Sequence, residues 1–223
     1  MTGFRMGKIG YINIKKERSH MLSTISKTFS RPKGWLGSIA GFIMANENKA
    51  LNQWAIQHLD LSDGENILEI GYGPGYSIKH MLKHYDDLHI DGLDASSTMK
   101  EQAHSRIKKR SKEKQVRLYV GKIEKTRLPA DQYDKVLSVN NYTIWDDPKA
   151  GALNLYHTLK PGGKLVIVMQ PREKGADANR TKEMGESILN DLEFAGFDQF
   201  SVEYEEIRPT LAVCVTAKKP RSE

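Results

Sequence analysis

Residues 69–75 read Glu-Ile-Gly-Tyr-Gly-Pro-Gly, and three alternating glycines behind a carboxylate form a pattern that can hold a ligand. Gly71, Gly73 and Gly75 let the main chain turn sharply and let a ligand approach it without a β-carbon in the way. Asp94 stands 19 residues after Gly75, where a carboxylate can accept hydrogen bonds from both hydroxyls of a ribose. Loop and acid together call for a cofactor that contains a nucleoside. The dinucleotide fingerprint needs a glycine or alanine at position 76, but Tyr76 stands there, which argues against NAD. A phosphate-cradling loop needs Lys and Ser/Thr after its last glycine, and the chain offers Tyr76 and Ser77. Glu69 is unfavourable beside a pyrophosphate and suited to the ammonium group of an amino acid.

The elements that must position these residues alternate. Short β-rich runs over 66–70, 89–94, 116–120, 135–139 and 164–169 are separated by helical stretches over 76–85, 96–110 and 147–159, the pattern of a parallel sheet covered on both faces. Ser96 is suited to cap the second of these helices. A helix over 176–195, closed by Gly196, leads to two further runs over 200–206 and 211–217. The four residues Ile207 to Thr210 between those runs are far fewer than a parallel crossover requires. The expectation is an α/β fold: a seven-stranded, mainly parallel sheet with a C-terminal antiparallel hairpin and helices on both faces.

The chain's 223 residues, 39% of them apolar, suffice for one well-buried core. Cys214, the single cysteine, supports neither a disulfide framework nor a cysteine metal site, and a reducing, cytoplasmic setting is expected. No run approaches the roughly 20 apolar residues of a membrane-spanning helix. Residues 1–60 hold nine Lys/Arg and three Asp/Glu, a net +6 that equals the charge of the whole chain. The basicity therefore belongs to an N-terminal segment and not to a body-wide nucleic-acid surface. That segment comprises a basic arm (1–18), a short helix with Met21, Leu22, Ile25 and Phe29 on one face, and a glycine-punctuated stretch leading into a helix over 47–59. One catalytic domain with an appendage is expected: a basic arm and helical lid over 1–60 and a catalytic body over 61–223. A weak membrane-surface contact is the alternative role for the basic segment.

From Leu61 to Ala217 the sequence resembles the class I S-adenosylmethionine-dependent methyltransferases, in the small-molecule branch that includes ubiquinone/menaquinone-type and phospholipid N-type enzymes. The blocks that carry the resemblance are Ile67 to Gly75, Gly92 to Met99 (GLDASSTM), Gly121 to Lys135 (GKIEKTRLPADQYDK) and Leu159 to Val166 (LKPGGKLV). It implies a Rossmann-like domain with S-adenosyl-L-methionine as cofactor and no metal. Gly71, Tyr72, Gly73 and Gly75 would pass under its methionine part, Glu69 would contact the polar end, and Asp94 would hold the ribose. Ala95 and Met99 would line the adenine, with Ile123 and Glu124 as neighbours. Relatives commonly place aspartate after the fourth-block glycine, whereas Lys122 follows Gly121, so no acidic contact to the adenine amine is implied there. Asn140 and Asn141 would sit above the reacting methyl, with Tyr142 and Trp145 on the acceptor side.

The reading is of a methyltransferase acting on an O, N or C nucleophile of a small molecule. A nucleic-acid-modifying enzyme is the second reading, although Asn140-Asn141-Tyr142-Thr143 differs from the Asn/Asp-Pro-Pro-Tyr/Phe of exocyclic-amine enzymes. A catalytically silent cofactor-binding protein is the third. Blander assignments cover the remaining candidates: His80 and His84 as a solvated helix face, Cys214 as a small core residue, and the run Lys108, Lys109, Arg110, Lys112, Lys114 as a helix-end cluster. Trp145 and Tyr142 read equally well as core and as substrate wall.

Overall fold

The computed structural model describes residues 49–108 and 115–221. The basic arm, the stretch bearing Met21 to Phe29, the rest of the proposed lid through residue 48, and Lys109, Arg110, Lys112 and Lys114 lie outside the described residues. The chain runs α1 (Lys49–Gln57), β1 (Asn66–Ile70), α2 (Tyr76–His84), β2 (His89–Asp94), α3 (Ser97–Ile107), β3 (Val116–Val120), β4 (Tyr133–Val139), a 3-10 turn (Tyr142–Ile144), α4 (Pro148–Thr158), β5 (Leu159–Met169), α5 (Ala178–Ala195), β6 (Asp198–Ile207) and β7 (Thr210–Lys218). One seven-stranded sheet results, in the order β3-β2-β1-β4-β5-β7-β6. The pairs from β3 through β5 are parallel, and β7 is antiparallel to both β5 and β6.

Burial on both faces explains why the central strands are apolar without alternation. In β5, Leu165, Ile167 and Met169 join one core with Ile188, Leu192 and Val213. Val166 and Val168 join a second core on the opposite face with Leu51, Ala55, Ile67 and Ile78. Helix starts carry the expected caps: Ser96 Oγ accepts from Met99 N–H at 3.3 Å, Asp147 from Ala150 N–H at 3.1 Å, and Asp177 from Arg180 N–H at 3.0 Å. Gly196 closes α5 at φ 99°.

Strands β4 to β7 all begin earlier than the sequence suggests, β5 by the most. Lys160-Pro161-Gly162-Gly163 carries turn residues, yet the ladder runs through it because Tyr133 pairs with Leu159. Gly162 N–H donates to Lys219 O at 2.8 Å and Lys219 N–H donates back to Gly163 O at 3.0 Å. The hairpin expected at the C-terminus is present, its tip a two-residue connection, Arg208-Pro209. Among the described residues no helix is long and apolar enough to cross a membrane.

Candidate cofactor and active site

The sheet's carboxyl edge brings the glycine loop and Asp94 together, as expected where β1 and β2 both point their ends toward a ligand. Gly71 leaves β1 at φ 72°, and its N–H donates to Leu93 O at 2.7 Å. Gly73 N–H donates to Asp94 Oδ2 at 2.8 Å, and Ser96 N–H donates to Asp94 Oδ1 at 2.9 Å. Each carboxylate oxygen keeps a lone pair for a further donor. Burial raises the Asp94 pKa, and the Ser96 and Gly73 N–H donors work against that rise.

Gly71 and Gly75 are required for separate reasons. A β-carbon on Gly71 would stand 2.1 Å from Asn141 Nδ2, and the residue is left-handed as well. Gly75, at φ 82°, opens α2, where a β-carbon would come 3.0 Å from Ala103 Cβ. The loop is locked from the far side. Tyr72 is buried with its hydroxyl donating to Tyr119 O at 3.1 Å, and Arg106 donates to Pro74 O at 3.0 Å while its guanidinium covers the Tyr76 ring. Gly71→Ala is expected to destabilise the fold by about 2–4 kcal/mol, combining left-handed strain with the clash. Gly64→Ala, at φ 85° with nothing within 4 Å, should lose only about 1 kcal/mol. Urea midpoints of the two variants check the difference.

Behind the loop, Glu69 is buried and its Oε2 has no hydrogen-bond partner among the described residues. Burial pushes its pKa up to about 8, with the Ser77 hydroxyl opposing the rise and the Asp94 charge adding to it. Glu69 lines a small cleft with Asn52, Gly71, Tyr72, Pro74, Tyr76, Ser77 and Val139. The Ser77 hydroxyl donates to Asn52 Oδ1 at 2.8 Å. A buried carboxyl with a free oxygen on a cleft floor suits a cationic ligand group. Asn52, Tyr76, Ser77 and Val139 were not expected at the site. Asn52 did leave a signal, since it is a polar residue beside the apolar stripe Leu51, Ala55 and Ile56 of α1.

The other expected residues divide in two. Ala95 is exposed and Met99 buried beyond the end of β2, on the side of Asp94. Ile123 is buried, its carbonyl accepting from Asn154 Nδ2 at 2.6 Å, while Glu124 Oε1 accepts from Asp146 N–H at 3.2 Å. Lys122 meets Asp146 at 2.6 Å and so ties this loop to the segment after β4. Asn140 is left-handed at φ 51° and its Oδ1 accepts from Gln170 N–H at 2.8 Å. Asn141 lies against Gly71 and accepts from Trp145 Nε1 at 2.6 Å. Tyr142 and Trp145 are both buried, ring against ring at 5.3 Å, in the core beneath α4 and α5. The Tyr142 hydroxyl donates to Asp191 on α5 at 2.5 Å. Both aromatic residues thus have their polar atoms engaged within the protein, and they back Asn141.

A sheet ordered 3-2-1-4-5-7-6 with one reversed strand, a glycine loop after the first strand and a carboxylate ending the second defines the Rossmann-like class I methyltransferase class. The comparisons agree. A methyltransferase-domain model matches residues 67–163. The chain is 50% identical over 182 residues, 82% of its length and 98% of the relative's, to the uncharacterized methyltransferase YdaC of Bacillus subtilis (strain 168). It is 28% identical over 117 residues to the spinach chloroplastic 2-methyl-6-phytyl-1,4-hydroquinone methyltransferase, spanning 51% of this chain and 32% of that enzyme. Its fold is similar to that of the Haemonchus contortus phosphoethanolamine N-methyltransferase 2 in complex with phosphomonomethylethanolamine and S-adenosylhomocysteine, with a TM-score of 0.64 at 19% identity over 78% of this chain and 53% of that one. The chain belongs to the class I S-adenosylmethionine-dependent methyltransferases.

Proposed function

We propose that the protein methylates an O, N or C nucleophile of a small molecule, holding S-adenosylmethionine along the carboxyl edge of β1 and β2. The observation that carries this placement is the orphaned Glu69 Oε2 on the floor of the glycine-loop cleft, which fits the ammonium group of the cofactor's methionine part. Gly71, Tyr72, Gly73 and Gly75 form the track for that part. The Asp94 carboxylate, held by Gly73 and Ser96, takes the ribose hydroxyls. Ala95, Met99, Ile123 and Glu124 form the adenine side. Asn140 and Asn141 stand at the end of β4, where the methyl is delivered, and Tyr142 and Trp145 hold Asn141 in place from behind.

S-adenosylmethionine supplies a methyl already activated on a sulfonium, so transfer leaves a neutral thioether and an acceptor O–H, N–H or C–H gives up its proton. What the protein must add is alignment and exclusion of water. Asn141, fixed between Gly71 and the Trp145 indole, restricts the space at the junction of β1 and β4. The test incubates the full chain with methyl-labelled cofactor and a small-molecule extract. Label in dialysable, nuclease-insensitive product is expected. Label found only in nuclease-sensitive material, or no transfer at all, overturns the proposal.

A further inference from the structure

Beyond the cofactor cleft, the carboxyl ends of β4 and β5 hold buried polar groups that find no partner among the described residues. The Gln170 side chain is buried, and its Nε2 donates to Ile207 O and, at 2.6 Å, to Thr210 O on either side of the hairpin tip. That pair of hydrogen bonds to carbonyls fixes which end of the carboxamide is nitrogen, and Oε1 is left buried with no donor among the described residues. One strand away, Asn140 Oδ1 is occupied by Gln170 N–H, which leaves Asn140 Nδ2 buried and without a partner among the described residues.

Two residues beyond Gln170 stands Arg172, half-buried, with burial lowering its pKa. Its backbone N–H donates to Glu173 Oε2, but its guanidinium has no ion pair or hydrogen bond among the described residues. Arg106, Arg117 and Arg180 by contrast all have partners, and Glu173, the nearest carboxylate in sequence, pairs with Arg180 at 2.6 Å. A desolvated cation without a counterion costs free energy, which an anionic ligand offsets. A guanidinium is also the side chain best shaped for bidentate contact with a carboxylate or phosphate. Ligands of open α/β sheets bind outside the carboxyl ends of the strands. With the cofactor loop on β1 and β2, the ends of β4 and β5 remain for the acceptor.

We propose that the methyl acceptor is an anion whose carboxylate or phosphate pairs with Arg172 while a hydroxyl or amine of the same molecule donates to Gln170 Oε1. This rests on the methyltransferase reading above and adds the charge class of its substrate. The acceptor is then held over β4 and β5, with Asn140 between it and the glycine loop.

The test splits a small-molecule extract on an anion exchanger and assays both fractions for labelled-methyl transfer by the full chain. Acceptor activity is expected in the retained fraction. Phosphatase treatment of that fraction abolishes it for a phosphate monoester and spares it for a carboxylate. Arg172→Gln is expected to lower kcat/KM for the retained fraction roughly thirtyfold or more, Arg172→Lys to recover part of the loss, and the exposed-charge control Lys83→Gln to change nothing. S-adenosylhomocysteine affinity should be unchanged in all three variants. Activity confined to the flow-through, or an Arg172→Gln variant as active as the native protein, overturns the inference and leaves the methyltransferase reading intact. No transfer from either fraction overturns both.

Discussion

Asp94→Ala is expected to weaken S-adenosylhomocysteine binding about a hundredfold or more, measured by calorimetry at neutral pH. The carboxylate sits where two backbone donors, Gly73 N–H at 2.8 Å and Ser96 N–H at 2.9 Å, already orient it, so its remaining lone pairs are presented to a ligand without further ordering. Each hydrogen bond to a charged group contributes roughly 1.5–3 kcal/mol, and two ribose hydroxyls would account for the expected loss. Part of the effect runs through the loop, because alanine also strips Gly73 N–H of its acceptor. Asp94→Asn separates the two contributions. It keeps an acceptor for one backbone donor but loses the charge, and is expected to lose roughly tenfold in affinity with a smaller fall in melting temperature. Native-like affinity in Asp94→Ala would show that the ribose is held elsewhere.

The parts of this molecule that local chemistry decides could be read from the sequence, and the parts that topology decides could not. β1, β2 and β3 match their expected spans because apolar runs bounded by turn residues permit few other readings. β5 starts five residues before its expected beginning, since a ladder to Lys219 overrides the local preference of Lys160-Pro161-Gly162-Gly163 for a turn. That the last two strands form an antiparallel hairpin followed from loop length alone, although the connection is two residues long where four were expected. The placement of β7 between β5 and β6 did not, because it depends on which sheet edge the hairpin meets.

The same division runs through the site. Glycines and a strand-ending acid announce a backbone-lined pocket by spacing, so Glu69, the loop and Asp94 were legible. Asn52 reaches Ser77 across 25 residues, Tyr142 reaches Asp191 across 49, and Gln170 reaches Thr210 across 40. No local pattern encodes such pairings. Tyr142 and Trp145 show the limit, since an aromatic residue near a strand end is compatible with either core or substrate wall. What distinguishes the two here is that both polar atoms find partners inside the protein, Asp191 for one and Asn141 for the other.

Glu69→Gln is expected to remove the largest pH-dependent loss of stability from the ligand-free protein. The folded carboxyl, pushed to about 8 from 4.5 chiefly by burial, binds its proton more tightly than in the unfolded chain. Its contribution to stability is therefore complete below about pH 4.5, and it is lost progressively as pH rises through about 8. The native protein should lose on the order of 3 kcal/mol of unfolding free energy to this one group between pH 5 and pH 9. Glu69→Gln, which keeps the shape without the ionisation, should be the more stable of the two at pH 9. Ligand binding carries the opposite sign, because an ammonium group beside Glu69 favours the ionised form. Binding then releases a proton, and native affinity for S-adenosylhomocysteine should rise roughly tenfold or more from pH 6 to pH 8, whereas the glutamine variant should bind more weakly and without that slope. Calorimetry in two buffers of different ionisation enthalpy measures the proton directly. Equal apparent enthalpies in both buffers, together with a flat affinity profile for the native protein, would place the cofactor's amino group away from Glu69 and remove the observation on which the cofactor's placement rests.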